Sequence, residues 1–414
     1  MINLLFKHGH INWAILDQMM ISGVNFLTGI ILARYLGLEE FGIFTLVWMP
    51  LLFLNSYQMS MILSPMMSIG PKQNDEDNPV YYGTVLLQQI VFSCLSFLLL
   101  YSGIKISVLI SPHWNIHDLA LPVAVSALVF QLQDFLRRYF FTKQRPLLAF
   151  INDAISYLGQ LALIVWLANT MELDTEIALW IIAATSALAV VFGIFFIENV
   201  KWDIKFTKKV IKHHWDFSKW LIASTFLHWG TANLFMIVAG GVLGVTAVGA
   251  MKAAYNLVGI VHILFLGLEN IVPIRAAYIL HNKGKKELVH YLTKIGLFAT
   301  TATAILCGVI IIDPEFLIGF IYGKDFVGYG YLLYWCAGIY FVISLGLPLR
   351  NGLRTIEVTR PLFFSYFWSG IFTVLSAYPL AYYYELNGVM AGSLLSQIGI
   401  VAFVLISFKR EMKI

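Results

Sequence analysis

Apolar runs of bilayer-crossing length recur along nearly the whole chain, separated by short polar or glycine-containing breaks. A helix needs about 20 predominantly apolar residues to cross the hydrocarbon core. Runs of that order fall at 12–33, 43–69, 81–103, 119–136, 147–168, 176–197, 219–240, 248–272, 290–312, 330–349, 362–383 and 388–408. The pattern predicts an all-α integral membrane protein of about twelve transmembrane helices, six in each half. The connections are too short to hold a soluble domain. The opening Met1-Ile-Asn-Leu-Leu-Phe-Lys7 carries no small-residue cleavage site, so the first span is expected to be retained.

The two halves repeat one another. Leu36-Gly37 followed by Gly42, and Leu243-Gly244 followed by Gly249, are both LG-x4-G, offset by 207 residues in a chain of 414. Each follows one apolar run and precedes the next, where a tight turn between two spans belongs. The loops after spans four and ten match as well: Leu136-Arg137-Arg138…Arg145-Pro146-Leu147 against Leu349-Arg350…Arg360-Pro361-Leu362. An even number of spans per half makes these parallel repeats, two six-helix lobes related by a pseudo-two-fold along the membrane normal. The expected domains are 1–200, a basic linker at 201–218, and 219–414. The linker alternates lysines with Trp202, Ile204, Phe206, Val210, Ile211 and Trp215, a pattern that fits either an interfacial amphipathic helix or a basic cytoplasmic connection.

Composition agrees with a membrane solvent. Hydrophobic residues are 59% and charged residues 12%, where a soluble domain carries about 25% charged. On the twelve-span reading, 23 of the 27 Lys and Arg residues fall on one face, leaving Arg34, Lys105, Lys252 and Lys324 for the other. That asymmetry predicts both termini on the cytoplasmic side. Cys94, Cys307 and Cys336 lie within predicted spans without metal-ligand spacing, and read as small apolar packing residues.

Three stretches carry a family likeness: Asn25 to Phe44, containing Ala33-Arg34-Tyr35-Leu36-Gly37; Leu136 to Pro146; and Gly240-Gly241-Val242-Leu243-Gly244 with Gly249 and Ala253-Ala254-Tyr255. They resemble polysaccharide flippases of the O-antigen (Wzx) type, in the multidrug/oligosaccharidyl-lipid/polysaccharide exporter superfamily. The resemblance implies a transporter that carries an undecaprenyl-diphosphate-linked oligosaccharide to the outer leaflet by alternating access, for O-antigen or lipopolysaccharide assembly. It further implies residence in a bacterial inner membrane and partnership with a polysaccharide polymerase. Such a cargo has an anionic diphosphate, a polar glycan and a long lipid tail, and calls for cations shielded from lipid.

Charges within spans are the site candidates, because each is costly in the bilayer unless it faces protein or water. Lys252, Glu269 and Arg275 fall along span eight, the cations as diphosphate ligands and Glu269 as a local modulator. Six residues separate Glu269 from Arg275, placing them about 240° apart around a helix, so they are not expected to pair directly. Arg34 ends span one beside the first turn, and Arg350, Arg354 and Arg360 line a basic loop; each is a candidate cargo contact or a positive-inside anchor. Asp17 and Asp153, shallow in spans one and five, are candidates for coupling to a proton or sodium, or for pairing with Arg137 or Arg138. His228 and His262 are read as bonding neighbouring helices. The repeats place cations differently: Gly241 matches Arg34, and Thr45 matches Lys252.

Within the same superfamily a cation-coupled multidrug antiporter is the alternative, favoured by carboxylate-lined rather than cationic sites. A membrane glycan polymerase or ligase needs a larger outer loop than 104–118 or 313–329 supply. No catalytic, metal or nucleotide motif appears, so no catalytic chemistry, cofactor, metal or nucleic-acid partner is expected.

Overall fold

The computed structural model describes residues 9–74, 76–110, 114, 116–198 and 200–412. The opening stretch through Lys7, and Lys413, fall outside them. The described residues form helices and turns without strands, as a bilayer demands of any chain that is not a closed barrel. In chain order the main helices are α1 (Gly9–Gln58), α2 (Ser64–Ile69), α3 (Asn78–Ile110), α4 (Ala120–Thr142), α5 (Pro146–Asp153), α6 (Gly159–Thr170) and α7 (Thr175–Ile194). They continue as α8 (Ile204–Leu243), α9 (Val245–Val258), α10 (Ile260–Ile310), α11 (Pro314–Tyr322), α12 (Tyr331–Thr355) and α13 (Arg360–Met412).

Among the described residues nine helices are long and apolar enough to cross a membrane, and the pair Val245–Val258 and Ile260–Glu269, bent by 53°, supplies a tenth crossing. Two of the nine each merge two crossings at a residue with non-helical backbone, Gly37 in α1 and Glu385 in α13. Among the described residues the crossings therefore number twelve, as the apolar pattern predicts. A third break, at Gly284 in α10, separates crossings eight and nine.

The chain divides into two compact units, one of Met1–Leu36 with Ile43–Phe226, the other of Gly37–Gly42 with Leu227–Ile414. In the first unit α4 is central, packing against α3, α5 and α7. Its core joins Phe135, Leu136, Tyr139 and Phe140 of α4 to Tyr81, Tyr82 and Val85 of α3 and to Leu63 and Met66. In the second unit α12 has the same role, packing against α9, α10 and α13. There Leu353 meets Leu288, Leu292, Val404 and Phe408. Outward faces such as Leu95, Leu98 and Leu99 on α3, or Leu188, Val191 and Ile194 on α7, are apolar and exposed, as lipid-facing positions should be.

Both LG-x4-G motifs adopt one backbone solution. Gly37 has φ 75° and ψ 178°, and Gly244 has φ 92° and ψ 177°; this conformation is essentially restricted to glycine. The second glycine of each motif serves close approach. A Cβ on Gly42 would run into the Val245 carbonyl, and one on Gly249 into the Leu38 carbonyl. Residues 37–42 belong to the second unit, so the two motifs pack on each other within it. Phe41 meets Phe326 edge to face at 6.4 Å beside them.

The matched loops share geometry too. After α4, Gln144 has φ 56°, Gln144 N–H donates to Phe141 O and Arg145 N–H to Phe140 O. After α12, Glu357 has φ 63°, Glu357 N–H donates to Arg354 O and Val358 N–H to Leu353 O. Both are Schellman caps built on a left-handed residue that is not glycine, each followed by Arg-Pro opening the next helix.

The basic linker and the seventh crossing form a single helix, α8, which runs unbroken from Ile204 to Leu243. Two π-helical turns interrupt crossings two and five, at Met59–Leu63 and Ala154–Leu158.

Candidate functional site

A buried polar cluster among the described residues lies in the first unit. Helical spacing sets Gln133 and Arg137 one turn apart on one face of α4, with Asp134 and Arg138 beside them. Arg137 is buried, and its guanidinium bridges two fully buried carboxylates. Its Nη2 lies 2.8 Å from Asp17 Oδ2, and its Nε lies 2.6 Å from Asp153 Oδ2. Gln133 Nε2 donates to Asp153 Oδ1 at 2.6 Å and to Asn152 Oδ1 at 3.1 Å. Asn152 in turn donates to the Ala189 carbonyl at 2.7 Å, tying the cluster to α7. Arg138 Nε sits 3.6 Å from Asp134 Oδ1.

The sequence reading places Arg137 in a basic loop, and the structure corrects this. α4 continues past residue 136 to Thr142, which carries Arg137 into the packed interior. Of the two options for Asp17 and Asp153, pairing with an arginine is the one seen, and Arg137 holds both. With two carboxylates against one guanidinium, the Asp17–Arg137–Asp153 group is one negative charge in excess when ionised. Asp17 Oδ1 is buried and has no hydrogen-bond partner among the described residues. A π-helical turn begins directly after Asp153, and such turns concentrate at functional sites.

A second buried cluster, which sequence reasoning missed, also adjoins a π turn. Gln58, the last residue before Met59–Leu63, donates to Gln89 Oε1 at 3.1 Å and to the Gln131 carbonyl at 2.8 Å. Gln89 donates to Ser93 Oγ at 2.8 Å. Its signal was legible: Gln58, Gln89 and Gln131 interrupt apolar runs in three successive crossings.

The remaining candidates are dispersed. Arg34 is exposed near the end of the first crossing, Lys252 is half-buried on α9, and Glu269 and Arg275 are both exposed on α10. No ion pair joins Glu269 to Arg275 among the described residues, as their helical spacing predicts. Arg350, half-buried, and Arg354, exposed, lie near the end of α12 within electrostatic reach of His228. The His228 ring meets Tyr366 edge to face at 5.1 Å, so the second unit gathers Arg350, Arg354, His228 and Tyr366. His262 is exposed, with its ring 6.4 Å from Phe265. Cys307 and Cys336 are buried as packing residues, whereas Cys94 is exposed; on an apolar crossing, facing lipid satisfies a thiol as well as a core does.

Outside the crossings, Glu198 is clasped by Lys143 and Arg145, each at 2.8 Å. The hydrogen bond from Lys143, then the two positive charges, hold its carboxyl below the usual range. Lys143 also sits 4.1 Å above the Tyr82 ring.

The fold is shared with solved transporters of the multidrug/oligosaccharidyl-lipid/polysaccharide exporter superfamily. An inward-facing MATE family multidrug resistance transporter matches with a TM-score of 0.75 over 94% of each chain, at 11% identity. The lipid II flippase MurJ, in an inward closed conformation, matches with a TM-score of 0.67 at 16% identity, over 96% of this chain and 87% of that one. A superfamily transporter from Pyrococcus furiosus matches with a TM-score of 0.58 at 11% identity, over 98% and 93%. No curated protein sequence matches. The family model for polysaccharide biosynthesis proteins matches residues 10–274, well over half the chain, and the protein belongs to that family.

Proposed function

We propose that this multi-pass membrane transporter flips an undecaprenyl-diphosphate-linked oligosaccharide from the cytoplasmic to the outer leaflet by alternating access, for surface polysaccharide assembly. The observation that carries the reading is the match to the polysaccharide biosynthesis family over residues 10–274. Charge supports it: among the candidate cargo residues, Arg34, Lys252, Arg275, Arg350 and Arg354 outnumber the single acid Glu269, which suits an anionic diphosphate better than a cationic drug. In this reading Lys252, Arg275, Arg350 and Arg354 bind diphosphate oxygens, Glu269 tunes their charge, and Arg34 meets cargo at the outer end of the first crossing. The protein resides in a bacterial inner membrane with both termini cytoplasmic, beside a polysaccharide polymerase.

Asp17 and Asp153 carry the coupling step in this proposal. A proton on Asp17, whose Oδ1 is buried and unpartnered among the described residues, cancels the excess negative charge without breaking the Arg137 to Asp153 contact. The same carboxylates favour a second reading, a cation-coupled multidrug antiporter.

The deciding experiment replaces Lys252 and Arg275 together with Ala in cells that lack the native copy. Loss of glycan at the cell surface, lipid-linked oligosaccharide retained on the cytoplasmic leaflet and normal membrane levels of the variant are expected. Undiminished surface glycan removes both cations from the site. Unchanged glycan in a complete deletion, with heightened sensitivity to cationic drugs, selects the antiporter.

A further inference from the structure

The structure singles out the first four turns of α8, which neither the buried clusters nor the proposed transport step uses. The helix opens at Ile204 with Asp203 Oδ1 accepting from the Phe206 N–H at 2.7 Å. One stripe of it packs on the first unit. Thr207 Oγ1 lies 3.1 Å from Thr84 Oγ1, Val210 is buried, His214 Nε2 lies 3.0 Å from the Tyr81 hydroxyl, and Ser218 Oγ donates to the Met61 carbonyl at 3.5 Å. The rest of the surface is open and sorted by angle. At ~100° per residue, Ile204, Ile211 and Trp215 fall within about 40° of one another, adjoining the buried stripe. They are 79%, 47% and 55% exposed. Lys205, Lys208, Lys209, Lys212 and Lys219 occupy the next ~100°, all exposed. Only Lys219 has an ion-pair partner among the described residues, Asp216 at 3.3 Å.

The contacts also locate this surface along α3. From Thr207 to His214 the helix advances ~10 Å, yet its partners on α3 move only from Thr84 to Tyr81, about 4.5 Å. The helix therefore lies alongside the first two turns of α3 rather than projecting beyond its end. Those turns of α3 follow the polar stretch Pro71 to Asp77, where the apolar run of that crossing begins. The same helix continues as a membrane crossing, so the surface is held at that level.

We propose that residues 204–218 form a docking surface for anionic phospholipid, with Ile204, Ile211 and Trp215 entering the acyl boundary and Lys205, Lys208, Lys209 and Lys212 binding headgroup phosphates. An apolar stripe flanked on one side by lysines is complementary to a negatively charged bilayer surface. An acidic soluble partner would match the lysines but would leave no reason for an exposed Ile and Trp stripe.

The test uses the full chain in nanodiscs of phosphatidylcholine, alone or with phosphatidylglycerol, and does not depend on the transported cargo. Thermal unfolding should shift upward with phosphatidylglycerol content, and the shift should shrink in high salt. The variant Lys205→Gln, Lys208→Gln, Lys209→Gln, Lys212→Gln should lose most of that shift while unfolding normally in phosphatidylcholine alone. Stability indifferent to phosphatidylglycerol, or a shift undiminished in the quadruple variant, overturns the proposal. Independently, spin labels on Ile211→Cys and Trp215→Cys should be more accessible to oxygen than to a water-soluble nickel complex. The opposite order places the stripe in water, and directs the search to a soluble protein instead.

Discussion

Arg137 is the residue on which the first unit's polar interior depends. Removing one partner of a buried charge group leaves the others without compensation, at a cost of about 3–5 kcal/mol. Arg137→Leu strands two carboxylates, so a sharp fall in the folded yield from detergent is expected, measured by monodisperse recovery on size exclusion. Asp17→Asn leaves Arg137 with Asp153 and should fold, while lowering coupled transport; full transport by this variant would remove Asp17 from coupling.

At the scale of elements, backbone conformation explains the repeated motifs better than side-chain chemistry does. Gly42 and Gly249 face the carbonyls of Val245 and Leu38, and a carbonyl in a helix cannot rotate aside. Gly42→Ala and Gly249→Ala are each expected to destabilise by about 1–3 kcal/mol or more, seen as a lower unfolding temperature. The duplicated caps predict the opposite sign. Gln144 and Glu357 hold a left-handed conformation that costs a side-chain-bearing residue about 1–2 kcal/mol. Gln144→Gly and Glu357→Gly should each stabilise, by up to about 1 kcal/mol; unchanged or lower unfolding temperatures would count against the cap assignment. The matched LR and RPL segments were visible in sequence, but the left-handed turn was not. Neither Gln nor Glu advertises positive φ, whereas the glycines of LG-x4-G do.

For the molecule as a whole, the twelve crossings and the basic asymmetry make a topological prediction. Single cysteines introduced at Arg145 and Lys208 should react from the cytoplasmic side, and one at Glu39 from the outside; reversed labelling overturns the orientation. Duplication is expressed most clearly in the helices that organise each unit. α4 and α12 both occupy the centre of their units and both end in the same cap. The likeness stops at charge. α4 carries the buried Arg137 with its two carboxylates, whereas Arg350 and Arg354 of α12 stand half-buried and exposed near His228.

Crossing number, helical class and duplication follow from local composition, because a bilayer accepts only long apolar segments whose backbone groups are satisfied internally. The two carboxylates were recognisable for the same reason, since a charge in an apolar run stands out wherever it ultimately packs. The sequence narrowed their partner to Arg137 or Arg138, and tertiary structure chose Arg137 for both: 120 residues separate it from Asp17, and no local pattern encodes which of two adjacent guanidiniums turns toward a distant buried acid. The assignment of residues 37–42 to the second unit is of the same kind. It rests on two glycines, 207 positions apart in sequence, that let two backbones touch.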